Sequence, residues 1–179
     1  MVAEAATAHI SDERAEWIIW MNTILYIDTD GVVYETRAYT NGDIAQLVHD
    51  HGLQCLTSAD RQFDFWFSPT TRRCQRRANQ RATELLLATT AFTAKTVPLL
   101  HGCVVVATHD EAGDLDGLSW QQLDLLARTS HSLTRRDERV LDRRVSRDER
   151  RRRRAADATT AAPSTPDRRD PRIPSLQDA

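Results

Sequence analysis

The sequence predicts an α+β fold: a small, mostly antiparallel sheet with two or three packed helices, plus a charged C-terminal helix and a disordered tail. Three observations carry that prediction. Short runs of β-branched and aromatic residues alternate with turn signals over the first two thirds of the chain. Helix-capping residues followed by apolar side chains at helical spacing lie between those runs. Apolar residues then become scarce: residues 134–154 hold eleven arginines and only Val140, Leu141 and Val145 as apolar side chains, and residues 155–179 hold four prolines among alanine, threonine and charge.

Each element can be justified in order. Residues 1–20 are an alanine-rich leader in which Ser11 can cap a short helix ending near Trp20. Met21, directly ahead of a clean strand, is a candidate start that leaves this leader outside the native chain. Residues 22–27 and 32–38 read as strands, and the Asp28-Thr29-Asp30-Gly31 turn between them makes a β-hairpin. Asn41 and Asp43 mark a helix N-terminus, Ile44, Leu47 and Val48 its apolar stripe, and Gly52 its stop. Strands follow at 53–57 and 62–67; in the second, Phe63, Phe65 and Phe67 share one face, and Asp64 and Trp66 the other. Ser68 and Pro69 end that strand, and residues 70–77 read as an exposed basic connection. Asn79 caps a helix to about Thr90 with Ala82, Leu85 and Leu86 inward. Residues 99–108 are the most hydrophobic strand and suit the centre of a sheet, and residues 109–117 have the composition of a loop. Ser119 and Gln122 form a capping box for a helix continuing through Leu123, Leu125 and Leu126 to about Leu133. Residues 134–154 are a solvated helix with Asp148 and Arg152, and Glu149 and Arg153, at four-residue spacing. From Ala155 onward nothing remains to pack, so disorder is expected. The domain therefore spans 21–133, with an arginine-rich helix at 134–154 and a tail at 155–179.

A chain of 179 residues has room for one core, because compact domains take roughly 100 to 150 residues. Of the 24 basic residues only Lys95 is lysine, a skew that fits a GC-rich genome as well as it fits guanidinium chemistry. Charge is unevenly placed. Residues 21–133 carry thirteen acids and nine bases, whereas residues 134–154 carry five acids and eleven bases. Cys55, Cys74 and Cys103 are an odd number with no CxxC pair, which fits a reducing cytoplasm. The apolar stretch 17–27 is interrupted by Asn22 and Thr23 and falls short of the ~20 residues of a membrane span.

The Asp28, Asp30, Gly31 turn, the Asn79, Ala82, Thr83 helix start and the Gly102-led apolar strand to Ala107 recur here in a fixed order. Together they resemble a small domain family of unknown function found in actinobacteria, their phages and mobile elements. The resemblance covers about residues 21–127. It implies a compact α+β fold and a setting on or near mobile DNA, and it implies no activity.

The apolar run into Asp28 and Asp30 also resembles the first motif of haloacid-dehalogenase phosphatases. That resemblance implies Asp28 as nucleophile, Asp30 as acid and base, and Mg²⁺ as cofactor. It further implies Thr57 or Ser58 as the phosphate-binding hydroxyl, Lys95 as the stabilising cation, and Asp110, Asp114 or Asp116 as distal metal carboxylates. Against it, that fold requires parallel strands with crossovers of a dozen or more residues, and residues 21–116 leave little room for them. A turn of Asp-x-Asp-Gly type is also favoured for backbone reasons alone. The non-catalytic reading, with no cofactor, is preferred.

His49, His51 and Cys55 present nitrogen and sulfur ligand types with Cys74 or Cys103 as a fourth, but no paired motif completes a zinc site, and no metal is expected. Common nucleotide-binding, zinc-protease and serine-hydrolase signatures are absent. Arg72, Arg73, Arg76, Arg77 and Arg81 form one basic cluster and Arg150, Arg151, Arg152, Arg153 and Arg154 a denser one. Such clusters attract phosphate backbones, or an acidic protein surface, without reading sequence. The expectation is a non-enzymatic accessory protein of phage or mobile-element type, with weak nucleic-acid contact through its basic arm.

Overall fold

A computed structural model of the chain describes residues 22–69 and 77–160. Six strands form one antiparallel sheet: β1 (Thr23–Ile27), β2 (Val33–Arg37), β3 (Gln54–Thr57), β4 (Asp64–Phe67), β5 (Val104–His109) and β6 (Leu115–Asp116). The strand order is β2-β1-β5-β4-β3, and β6 pairs with the end of β5. The helices are α1 (Asn41–Val48), α2 (Gln80–Thr89), α3 (Trp120–Ser130) and α4 (Arg135–Thr160).

The sheet separates two apolar layers, as the period of two along each strand requires. Leu25, Ile27, Phe63, Phe65, Val104 and Val106 join Leu85 and Leu86 of α2, Leu123 and Leu126 of α3, and Leu141 of α4 in the larger core. Ile24, Val105 and Ala107 pack on the other face against Ile44 and Val48 of α1. The expected facing of β4 holds, since Phe63, Phe65 and Phe67 belong to the first layer and Trp66 packs against the second.

One turn chemistry recurs. In the β1–β2 hairpin the Asp28 carboxylate accepts from the N–H groups of Asp30 (2.8 Å) and Val32 (3.0 Å), while Gly31 takes φ +82°. Between β5 and β6 the Asp110 carboxylate accepts from Ala112 and Asp114 (both 2.9 Å), with Gly113 at φ +86°. Between β3 and β4 the Ser58 hydroxyl accepts from Gln62 (3.1 Å) and Phe63 (3.0 Å), and Arg61 occupies the left-handed position at φ 59°. A short polar acceptor at the first corner and a left-handed residue three positions on are what this tight reversal requires.

Several boundaries differ from the sequence reading. The N-cap of α1 is Thr40, whose hydroxyl accepts from Asp43 N while the Asp43 carboxylate accepts from Thr40 N. The helix ends at Val48, four residues before Gly52, because His49 itself adopts the left-handed cap conformation. The central strand starts at Val104 instead of residue 99: Gly102 turns at φ +72°, and Leu100 and Gly102 bond back toward α2. The expected loop 109–117 contains β6. Residues 155–160, expected to be disordered, continue α4. The body does not end at 133, because Leu141 is fully buried in the main core. The leader 1–20 and residues 161–179 lie outside the described residues, as do Arg72, Arg73, Cys74 and Arg76.

Candidate nucleic-acid interface

The three sequence motifs meet at one point. Asn79 is fully buried, and its Oδ1 accepts from Ala82 N (3.0 Å) as the N-cap of α2. Its Nδ2 donates to the carbonyl oxygens of Asp28 (2.7 Å) and Gly102 (2.9 Å). Thr83 Oγ1 donates to the Asn79 carbonyl (2.8 Å) and accepts from Leu100 N (3.1 Å). A Cβ on Gly31 would lie 3.2 Å from the Arg81 Cβ, so the hairpin turn passes close over α2. These residues form a clasp that joins hairpin, helix and central strand, and every polar atom named here is engaged in it.

The residues implied by the phosphatase resemblance are not brought together. β1 and β5 run antiparallel with Ile27 opposite Val104, which puts Asp28 level with Cys103, at the start of β5. Asp110 and Asp114 follow the other end of that strand, seven residues or roughly 24 Å away at ~3.4 Å per residue. Thr57 pairs with Asp64, and Asp64 with Ala107, so Thr57 lies toward that far end as well. Its hydroxyl donates to Asp64 Oδ1 (2.6 Å). Lys95 is exposed on the connection after α2. Asp30 pairs with the exposed Arg77. The hairpin and antiparallel sheet are the opposite of the crossover architecture that such a phosphatase needs.

One other polar grouping spans β3, β4 and β5. Asp64, nearly fully buried, takes the Thr57 hydroxyl on one oxygen and His109 Nδ1 (2.5 Å) on the other. The carboxylate stands between hydroxyl and imidazole, so the imidazole is not placed to take the hydroxyl proton. Cys55 is exposed as a residue, and desolvation of its thiol together with the neighbouring Asp64 charge pushes that thiol up to about 12. Among the described residues no three His, Cys, Asp or Glu side chains gather as a metal site, and no helix is long and apolar enough to cross a membrane.

The remaining chemistry lies on α4. Thr134 starts it, with its hydroxyl accepting from Asp137 N (3.2 Å). One face docks: Leu141 and Val145 are buried. Arg144 donates to the carbonyls of Ala94 (2.8 Å) and Val97 (2.7 Å). Asp148 accepts from Arg152 Nε (2.6 Å) and from His101 Nε2 (3.0 Å), and Arg152 Nη2 lies 2.8 Å from the same ring nitrogen. Burial alone would raise the Asp148 carboxyl, but its bonds with His101 and Arg152 outweigh that and hold it below its ordinary range.

The opposite face is a row of guanidinium groups. Arg136, Arg139, Arg143, Arg147, Arg150 and Arg154 follow one another at spacings of three and four, and all are exposed. At ~100° per residue they fall within an arc of roughly 80°, diametrically opposite Leu141, Val145, Asp148 and Arg152. None of the six joins an ion pair among the described residues. Glu138, Asp142 and Glu149 project to one side of the row, and no acid interrupts it between residues 136 and 154. The row is roughly 27 Å long at ~1.5 Å per residue.

The structure therefore redistributes the expected arginines. Arg150, Arg151, Arg153 and Arg154 remain exposed, Arg152 is spent on Asp148 and His101, and Arg77 is paired with Asp30. Arg136, Arg139, Arg143 and Arg147 were not singled out by clustering, because they are dispersed in sequence and align only on the helix. Their three-and-four spacing is the signal that finds them. No protein-family model matches the chain, and no curated protein or solved structure matches it either.

Proposed function

We propose that this chain is a non-enzymatic binding module that contacts nucleic-acid backbone through the solvent face of α4. The observation that carries the reading is the exposed arginine row, without an ion pair among the described residues, on a helix whose reverse face is packed into the core. A duplex segment of about 27 Å carries roughly sixteen phosphates, so the row meets a dense field of opposite charge and gains by releasing counterions. No Phe, Trp or Tyr occurs in α4, which argues for backbone contact without base stacking. The motif resemblance adds a setting among phage or mobile-element accessory proteins, where sequence-independent contact of this kind is useful.

The test is fluorescence anisotropy of the full chain with a mixed-sequence duplex across a salt series. Binding is expected to weaken steeply with salt, and replacing Arg139, Arg143 and Arg147 together by glutamine is expected to reduce the log–log slope by about 3. No binding at low salt, or an unchanged slope in the triple variant, counts decisively against the proposal.

A further inference from the structure

β2 is an outer strand of the sheet, and its neighbourhood gathers exposed apolar side chains. Val32, Val33, Tyr34 and Tyr39 are four of the seven large hydrophobic residues exposed among the described residues, which singles out this edge. The hydrogen-bond phase is fixed at both ends of the hairpin, by Ala38 N to Asn22 O (3.3 Å) and Asp28 N to Val32 O (3.0 Å). Even-numbered residues of β2 therefore bond to β1. Val33, Glu35 and Arg37 point their N–H and C=O groups away from the sheet, as alternation in an antiparallel ladder requires.

An edge of this kind pairs with another strand unless its side chains forbid it. Here the side chains select one register. Two copies related by a two-fold axis through Thr36 place Glu35 opposite the partner's Arg37 twice, Val33 opposite the partner's Tyr39 twice, and Tyr34 opposite the partner's Ala38 twice. Moving by one step in either direction sets Glu35 against its own copy or Arg37 against its own copy. Within the chain neither residue joins an ion pair among the described residues, so both charges are available. Opposite charges facing across a strand pair stabilise it and like charges oppose it.

We propose that the chain self-associates through β2, antiparallel and two-fold, joining two sheets into one continuous sheet with Glu35 and Arg37 as the register-setting pair. The occupant of the edge is a second copy of this chain, because Glu35 and Arg37 complement one another across the two-fold axis and leave no charge unanswered on the strand. The inference is independent of the nucleic-acid reading, since β2 and the arginine row share no residue.

Sedimentation velocity of the full chain, from low micromolar to several hundred micromolar, is expected to show a monomer–dimer equilibrium. Glu35→Arg alone, or Arg37→Glu alone, sets two like-charged pairs across the axis and is expected to weaken the dimer about tenfold or more. The double exchange Glu35→Arg with Arg37→Glu is expected to restore it. Both positions are exposed, so circular dichroism and the melting temperature of each single variant are expected to match the wild type. A chain that stays monomeric throughout overturns the proposal, all the more so if the Val33, Glu35 and Arg37 amides are protected from exchange and thus covered from within the chain. A dimer indifferent to both single reversals overturns it too.

Discussion

Asn79 Nδ2 donates to the Asp28 carbonyl oxygen across 2.7 Å, and so fastens the first turn of α2 to the corner of a hairpin fifty-one residues earlier. The same amide caps the helix and reaches Gly102, so one side chain sets the relation among three elements.

Asn79→Ala is expected to lose the cap, at about 1 kcal/mol, and to strand the Gly102 carbonyl at about 1–3 kcal/mol, while the Asp28 carbonyl keeps the Gly31 N–H, for a loss of order 3 kcal/mol. Chemical denaturation measures this. A loss below about 1 kcal/mol shows that the clasp contributes no more than an ordinary cap.

Leu141→Ala is expected to destabilise the whole body by about 2–5 kcal/mol, the range for a fully buried leucine. A solvated arm would register almost nothing. The distinction is read from the global unfolding transition, and a change confined to far-ultraviolet helicity with an unmoved midpoint argues that α4 unfolds by itself.

Docking of α4 is expected to weaken in acid. The Asp148 carboxyl lies below its ordinary 3.8 in the folded chain. Its stabilising contribution is therefore complete above the unfolded value and is lost as pH falls through the lower folded one. Melting temperatures from neutral pH to pH 3 are expected to fall more steeply in the wild type than in Asp148→Asn. Parallel curves count against the role of this carboxylate.

Arg61 holds a left-handed conformation at φ 59° in a turn where the two sister turns use glycine. Arg61→Gly is expected to stabilise the protein by about 0.5–1 kcal/mol, because relief of left-handed strain exceeds the added freedom of the unfolded chain. A rise in melting temperature checks it, and a fall shows that the arginine side chain contributes more than its backbone costs.

The fold class was legible because local rules and tertiary packing agree along most of the chain. The Ser119 and Gln122 capping box, the Asn79 cap and the three phenylalanines of the β4 region each sit as their own chemistry dictates. The sequence signal misled where a long-range contact decides. Val140, Leu141 and Val145 are too few to mark a packed helix, yet Leu141 fills a position the core needs and Arg144 bonds two carbonyls of a distant connection. Residues 99–103 are apolar enough for a strand, but their backbone groups are taken by α2 and by residues 77 and 78. Arginine density pointed to residues 150–154, whereas exposure on one face depends on which side of the helix docks, a fact that only the tertiary structure contains.

β5 lies between β1 and β4 yet follows both in the chain. During synthesis the two flanking hairpins thus emerge before the strand that unites them, and the facing edges of β1 and β4 have no strand to pair with until β5 has left the ribosome. Pairing over such sequence separation carries a loop-closure cost that local hairpins do not, so the edges of β1 and β4 are the last part of the sheet to be covered.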